Sequence, residues 1–202
     1  YGKHKPGDDP GMERNAWLEY QWDTVLEFCS MILQAHFYAG MDITKYEPLI
    51  IQSLQFFDEH YQYLAKKRGV KALNGDGKLV LFPSSGCETY KMAYNPSSVV
   101  AALRVVTEQF ERYKQMKGIK DVSSYALDST FKNRLPEIPL RTIDGDTCIA
   151  PAVVWERIQN VETPQLYPVF PWRMYGMGRD GLQTARNTYQ KDPHALEMRA
   201  SK

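Results

Sequence analysis

The strongest constraint in this sequence is an alternation of connection lengths. Amphipathic stretches are separated by very short turns at residues 40 to 43, 118 to 121 and near 191, whereas residues 69 to 94 and 136 to 178 are long excursions rich in Pro, Gly and aromatic residues. Short connections make antiparallel neighbours, so helices joined this way form hairpins and the long connections gather at one end of the array. Ordered loops longer than about 15 residues are uncommon in compact domains and tend to carry function. A helix over 152 to 158, inside the second excursion, would break that same-end reading for everything after it.

The helical stretches have readable starts and stops. Trp22, Val25, Leu26, Cys29, Leu33, His36 and Phe37 follow i, i+3, i+4, i+7 spacing and predict a helix from Trp17 that Gly40 closes. A second opens near Thr44, where Thr44-x-x-Glu47 reads as a capping box. It carries Leu49, Ile50, Ser53, Phe56, Phe57, His60, Tyr61 and Leu64, and stops at Lys66-Lys67-Arg68-Gly69. Asn95 as N-cap and Pro96 at the first helical position start a third, which runs to Gly118. Asp121 starts a fourth, ending near Pro136; another spans about 179 to 191, and Asp192-Pro193 opens the last. The expectation is an all-α chain of antiparallel helical hairpins, with short strands confined to the long loops, such as 78 to 82. Residues 1 to 16 read as an irregular lead-in and 17 to 202 as one domain. A first residue Tyr1, and a helix start so close to Lys202, suggest part of a longer protein.

Composition narrows the function classes. The 25 Lys and Arg against 24 Asp and Glu give a net charge of +1, and no basic run exceeds Lys66-Lys67-Arg68, which argues against nucleic acid as a partner. A mean hydropathy of −0.49 without a long apolar run argues against a membrane span. Cys29, Cys87 and Cys148 are odd in number and lack CxxC spacing, so they read as free, buried thiols. No metal or cofactor is expected. Thirteen Tyr, eight Phe and four Trp are the compositional excess, suited to a wet core edge or to stacking on sugars.

Three groups of residues could carry chemistry. Glu88 follows Pro83-Ser84-Ser85-Gly86 beside Tyr90 and Tyr94, where desolvation can turn a carboxyl into a general acid, although spacing alone favours a solvated loop carboxylate. Asp144 and Asp146 flank Gly145, as a polar turn or a weak calcium pair. Tyr167, Trp172 and Arg173 lie in a Pro-rich aromatic segment that either walls a pocket or plugs the core. His36 and His60 sit on apolar stripes and read as hydrogen-bonded core residues. Ser84 and Ser85 lack a nucleophile-elbow frame and Gly176-x-Gly178 lacks the dinucleotide fingerprint.

The helix-turn-helix stretch from Phe37 to Tyr61, followed by Gly75 to Glu88, resembles the catalytic domain of glycoside hydrolase family 95 and related six-hairpin glycosidases. Tyr46, Pro48, Leu49, Phe56, Phe57, Pro83, Ser84 and Glu88 carry the likeness, with weaker echoes in 135 to 146 and 166 to 171. It covers residues 17 to 190, most densely 17 to 100. Ser-Ser-Gly-Cys-Glu stands where the family has a Ser-Pro-Glu form, which suggests a distant branch. The resemblance implies about half of an (α/α)6 toroid, with the other half and accessory domains elsewhere in the parent protein. It implies an enzyme of the fucosidase or galactosidase kind, exported to the periplasm or cell exterior, that hydrolyses a terminal α-linked sugar by inversion. Glu88 would be the general acid, and Tyr90, Asn95, Asp144, Asp146, Tyr167, Trp172 and Arg173 would contact the glycan. The base would lie outside this chain, with Asp144 or Asp146 as substitutes. Two other readings are a catalytically inactive toroid binding glycan through Tyr90, Tyr167 and Trp172, and a helical-repeat scaffold with Glu88 far from any pocket and its aromatics buried.

Overall fold

Three long helices supply most of the core. The computed structural model describes residues 20–119 and 130–195, and in it α1 spans Thr24–Ala39, α2 Glu47–Lys67 and α3 Ser97–Lys117. Gly40 and Gly118 end α1 and α3 in the left-handed conformation (φ 64° and 67°), where a residue without Cβ costs least. Leu26, Cys29 and Leu33 of α1 meet Ile50, Leu54, Phe57 and Tyr61 of α2 and Val99, Leu103, Val106 and Phe110 of α3 in one cluster. At about 1.5–3 kcal/mol per large apolar side chain, this cluster dominates the stability of the array.

The predicted stripe of α2 is buried at Ile50, Ser53, Phe57 and Tyr61 but not throughout. Leu49 and Phe56 stay 44% and 40% exposed while Ile50, Leu54 and Phe57 are fully buried. The capping box does not form either. Thr44 belongs to a 3-10 turn, Thr44–Tyr46, and gives its hydroxyl to Asp42, while Glu47 accepts from the Tyr113 hydroxyl. Asp58 and Arg134 make a mostly buried two-point ion pair, at 2.6 and 3.3 Å, that ties α2 to the short helix α4, Phe131–Arg134.

The all-α expectation is overturned, because the described residues are mixed α/β, 49% helical and 13% strand, with two antiparallel sheets. In the first sheet β1, Ser84–Gly86, pairs with β2, Tyr90–Ala93, and β2 pairs with β5, Arg157–Ile158. The predicted strand over 78 to 82 reduces to one bridge, Leu73 to Leu79, and pairing begins only at Ser84. Residues 152 to 158 are extended rather than helical, since Val154 bridges Tyr94 and Arg157 pairs with Lys91. The two excursions thus meet each other through β5. The second sheet is a hairpin of β3, Leu140–Ile143, and β4, Asp146–Ile149. Asp144 and Gly145 at its tip both have positive φ, 49° and 82°, the turn an Asp-Gly pair favours between alternating residues. This hairpin packs on α5, Leu182–Lys191, where Ile149 N–H donates to Thr188 Oγ1 at 2.8 Å. Asp192 does cap the turn after it, accepting from the backbone of His194 and Ala195. The predicted fourth helix, from Asp121 to Pro136, is described only at its end, where α4 forms, and the remainder of the last one falls outside the described residues.

Candidate functional site

Polar and titratable side chains concentrate around the β1–β2 turn, next to the N-terminal ends of α1 and α3. The turn is formed by Cys87, Glu88 and Thr89, with Cys87 in the left-handed region (φ 51°), a conformation that costs a non-glycine residue free energy. Glu162 holds it from outside, because its Oε2 accepts from the Glu88 N–H at 3.0 Å and the Thr89 hydroxyl at 2.8 Å. The Glu88 carboxyl is half-buried, and its Oε2 accepts from Asn160 Nδ2 at 2.9 Å. No described residue donates to the other oxygen, Oε1.

Beneath the turn, β2 has neighbours on both sides, so Lys91 is buried at 1% exposure. Its ammonium donates to Ser85 Oγ at 2.7 Å and reaches the Cys87 carbonyl at 3.5 Å, the same carbonyl that the Ser85 hydroxyl bonds. Ser84, on the same strand, accepts from the Tyr61 hydroxyl at 3.0 Å. A buried ammonium thus pins the backbone immediately before Glu88.

Asp23 is the group that no sequence signal singles out. It occupies the N-cap of α1 yet makes no capping hydrogen bond, and it is 7% exposed. Burial pushes its carboxyl up to about 7, an effect that the charge of Glu27 reinforces and that the Lys91 ammonium opposes. Ser98, at the start of α3, lies beside it without an ordinary hydrogen bond, and Asp23 Oδ1 and Ser98 Oγ both lack a partner among the described residues. Two such atoms side by side suit a water or a ligand hydroxyl. Burial also pushes up the Cys87 thiol and the Tyr167 phenol, each of which feels the other as well as Asp23 and Glu162. The thiol therefore stays protonated and is a poor nucleophile.

The other predicted site residues separate. Tyr90 is 1% exposed, edge-on to Trp155 and His194 at 5.1 and 5.6 Å, so its ring offers no face to a sugar. Its hydroxyl is pushed up to about 12 by burial. Asn95 is not the N-cap of α3, which begins two residues later. It sits at φ 47° and pairs with Leu81, its side-chain oxygen accepting at 2.7 Å and its N–H donating at 3.1 Å. Asp144 is at the exposed hairpin tip, and Asp146 forms an ion pair with Lys191, just as Arg141 does with Asp192. These pairs latch the hairpin to α5. Gln165 Nε2 reaches Asp192 at 2.7 Å and His194 Nε2 lies 3.1 Å from the Glu162 carbonyl, so the latch ends beside the carboxylate that holds the Glu88 turn.

Tyr167 joins the cluster, whereas Trp172 and Arg173 line a different feature, a cleft of about 510 Å³ between α1, α3 and the segment 170 to 174. Sequence reasoning passed over Asn160, Glu162 and Lys91, and weighed Ser85 only as a nucleophile, because strand pairing is what brings these segments together. All three cysteines are free and buried, as expected. Among the described residues no helix is long and apolar enough to cross a membrane, and no three His, Cys, Asp or Glu side chains are grouped to hold a metal ion. Comparison of the chain with protein families, with curated proteins and with solved structures found no match.

Proposed function

We propose that the β1–β2 turn is the acid side of a glycoside-hydrolase site that releases a terminal α-linked sugar by inversion. One observation carries the reading: a half-buried Glu88 carboxyl with one oxygen fixed by Asn160 and the other open, on a turn braced by Glu162 and Lys91. Such bracing is what a general acid needs, since proton transfer depends on holding the donor within hydrogen-bond reach of the glycosidic oxygen. Glu88 gives its proton to that oxygen as the bond to the sugar breaks. A second carboxylate then takes a proton from the water that attacks the opposite ring face, and in inverting enzymes the two carboxyls stand roughly 6.5–9.5 Å apart.

Asp23 is the group in this chain best suited to that second role. A carboxyl near 7 is a stronger base at neutral pH than an ordinary aspartate, and its open Oδ1 beside Ser98 Oγ can hold the water. Asp146 is paired with Lys191 and Asp144 lies at the exposed tip of the same hairpin, so both suit it less. Export to the periplasm or cell exterior belongs to the same reading.

The test is release of an activated aryl α-glycoside by the full-length protein and by its Glu88→Asn and Glu88→Gln variants. Turnover should fall about 10²–10⁴-fold in both. Unchanged turnover removes Glu88 from the chemistry. The burial of Tyr90 and Trp172 favours a second reading, the interaction scaffold, in which no glycoside is turned over and Glu88 only braces the turn.

A further inference from the structure

The cleft that Trp172 and Arg173 line has a composition of its own. Along α1 it is walled by Glu27, Met31, Gln34 and Tyr38, positions that recur on one helical face and span about 16 Å at 1.5 Å per residue. It begins one helical turn from Asp23, so it leads away from the proposed catalytic centre. Phe37, Tyr38 and Phe170 supply rings, of which Tyr38 and Phe170 are 79% and 73% exposed. Flat exposed rings beside polar groups suit the apolar faces of pyranose units.

The charges in the cleft do not neutralise one another. Arg112, Arg173 and Arg179 line it together with Glu27 and Glu108, yet none of the three guanidiniums pairs with a carboxylate among the described residues. Arg112 instead lies over the Phe37 ring, 4.8 Å from its centre. Arg173 is held at φ 54°, a backbone conformation that a non-glycine residue adopts at a cost and that recurs where a side chain is set for function. Guanidinium forks match carboxylate geometry with paired hydrogen bonds, whereas sugar hydroxyls can donate to the Glu and Gln oxygens. Gln109 Oε1, in the same wall, is buried without a donor among the described residues.

We propose that this cleft binds an acidic oligosaccharide, with the rings of its uronic acid units against Tyr38 and Phe170 and their carboxylates on Arg112, Arg173 and Arg179. The inference rests on the hydrolase reading for its setting and deepens it by naming the substrate class. The distal units lie along α1 and the linkage to be cut reaches the Asp23 and Glu88 end.

Calorimetric titration of the full-length protein with an α-linked hexagalacturonate, and with a neutral α-linked glucose hexamer, tests this directly. The acidic hexamer should bind about tenfold tighter or more, and the advantage should shrink as salt rises. Arg173→Gly removes the guanidinium while suiting the left-handed backbone, so it should keep the fold and weaken acidic binding about tenfold. Arg112→Gln should act in the same direction. Equal affinity for the two hexamers, an advantage insensitive to salt, unaltered binding by a folded Arg173→Gly variant, or no binding at all would each overturn the proposal. Tight acidic binding without hydrolysis of any glycoside would uphold the cleft and remove the hydrolase reading. Hydrolysis of neutral glycosides with no preference for acidic ones would do the reverse.

Discussion

Asp23, which interacts with Cys87 of the β1–β2 turn, lies one helical turn along α1 from Glu27 of the α1–α3 cleft, and the two regions treat polar groups in opposite ways. Around the turn, Lys91, Ser84, Ser85, Thr89 and Glu162 are engaged with other protein groups, and most are buried. In the cleft, three guanidiniums and two carboxylates share a wall without pairing. Buried polar groups are costly unless satisfied, so the first arrangement fixes geometry at the expense of adaptability. Exposed charges cost little to leave unpaired and remain available to a ligand. Under the proposed function, chemistry and recognition are divided between a rigid region and an open one.

Asp23 is the exception inside the rigid region and gives the largest expected effect on stability. The native state keeps its proton up to about pH 7, whereas the unfolded chain releases it near 3.8. Between those values the native state binds more protons, so Asp23 lowers stability progressively as pH rises through that window. Asp23→Asn removes the titration. Its stability relative to wild type should therefore grow from pH 4 to pH 7 and level off above, with about 4 kcal/mol as the ceiling for a carboxyl raised from 3.8 to about 7. Denaturant melts at three pH values check this; a constant difference would mean that Asp23 ionises normally in the fold.

Lys91→Met comes next. It leaves Ser85 Oγ and the Cys87 carbonyl to share one hydrogen bond and removes the brace under Glu88, so stability should fall by about 2–4 kcal/mol in urea melts. A neutral outcome would show the ammonium to be replaceable by apolar packing. Asn160→Ala should cost about 1 kcal/mol or less in stability but lower turnover with little change in KM, because it frees the Glu88 carboxyl without touching the fold. Phe170→Ala, in the open cleft, should change thermal stability within about 0.5 kcal/mol while weakening saccharide binding. A large stability loss there would mean that the cleft wall is structural after all.

How much of the fold and of the site is legible in the sequence depends on how local each signal is. The glycine stops at Gly40 and Gly118 and the core face of α1 can be read directly, since each rests on residues within a few positions. The Asp144-Gly145 hairpin is equally local, but the polar pair draws attention from the alternation of Leu140 to Ile149 that makes it a strand pair. Which members of the α2 stripe are buried, Ile50 and Phe57 rather than Leu49 and Phe56, depends on what α1 and α3 present, which local periodicity cannot decide. At the site, Glu88 is singled out by its surroundings in sequence. Its partners Asn160 and Glu162 lie more than seventy residues away, brought there by the pairing of a two-residue strand, β5, with β2. Asp23 has the position of an ordinary cap, and only its burial without a capping bond makes it chemically distinct.

If the braced carboxyl at the β1–β2 turn donates the proton that breaks a glycosidic bond, the first sugar released carries the record of it. Proton NMR follows the anomeric configuration of that sugar as it leaves an α-linked substrate, for the full-length protein and for Glu88→Gln. A β-configured first product is expected from the wild type, and its loss in the variant. Undiminished release by Glu88→Gln, or a first product that keeps the α configuration, would contradict the assignment of Glu88 as the acid of an inverting site.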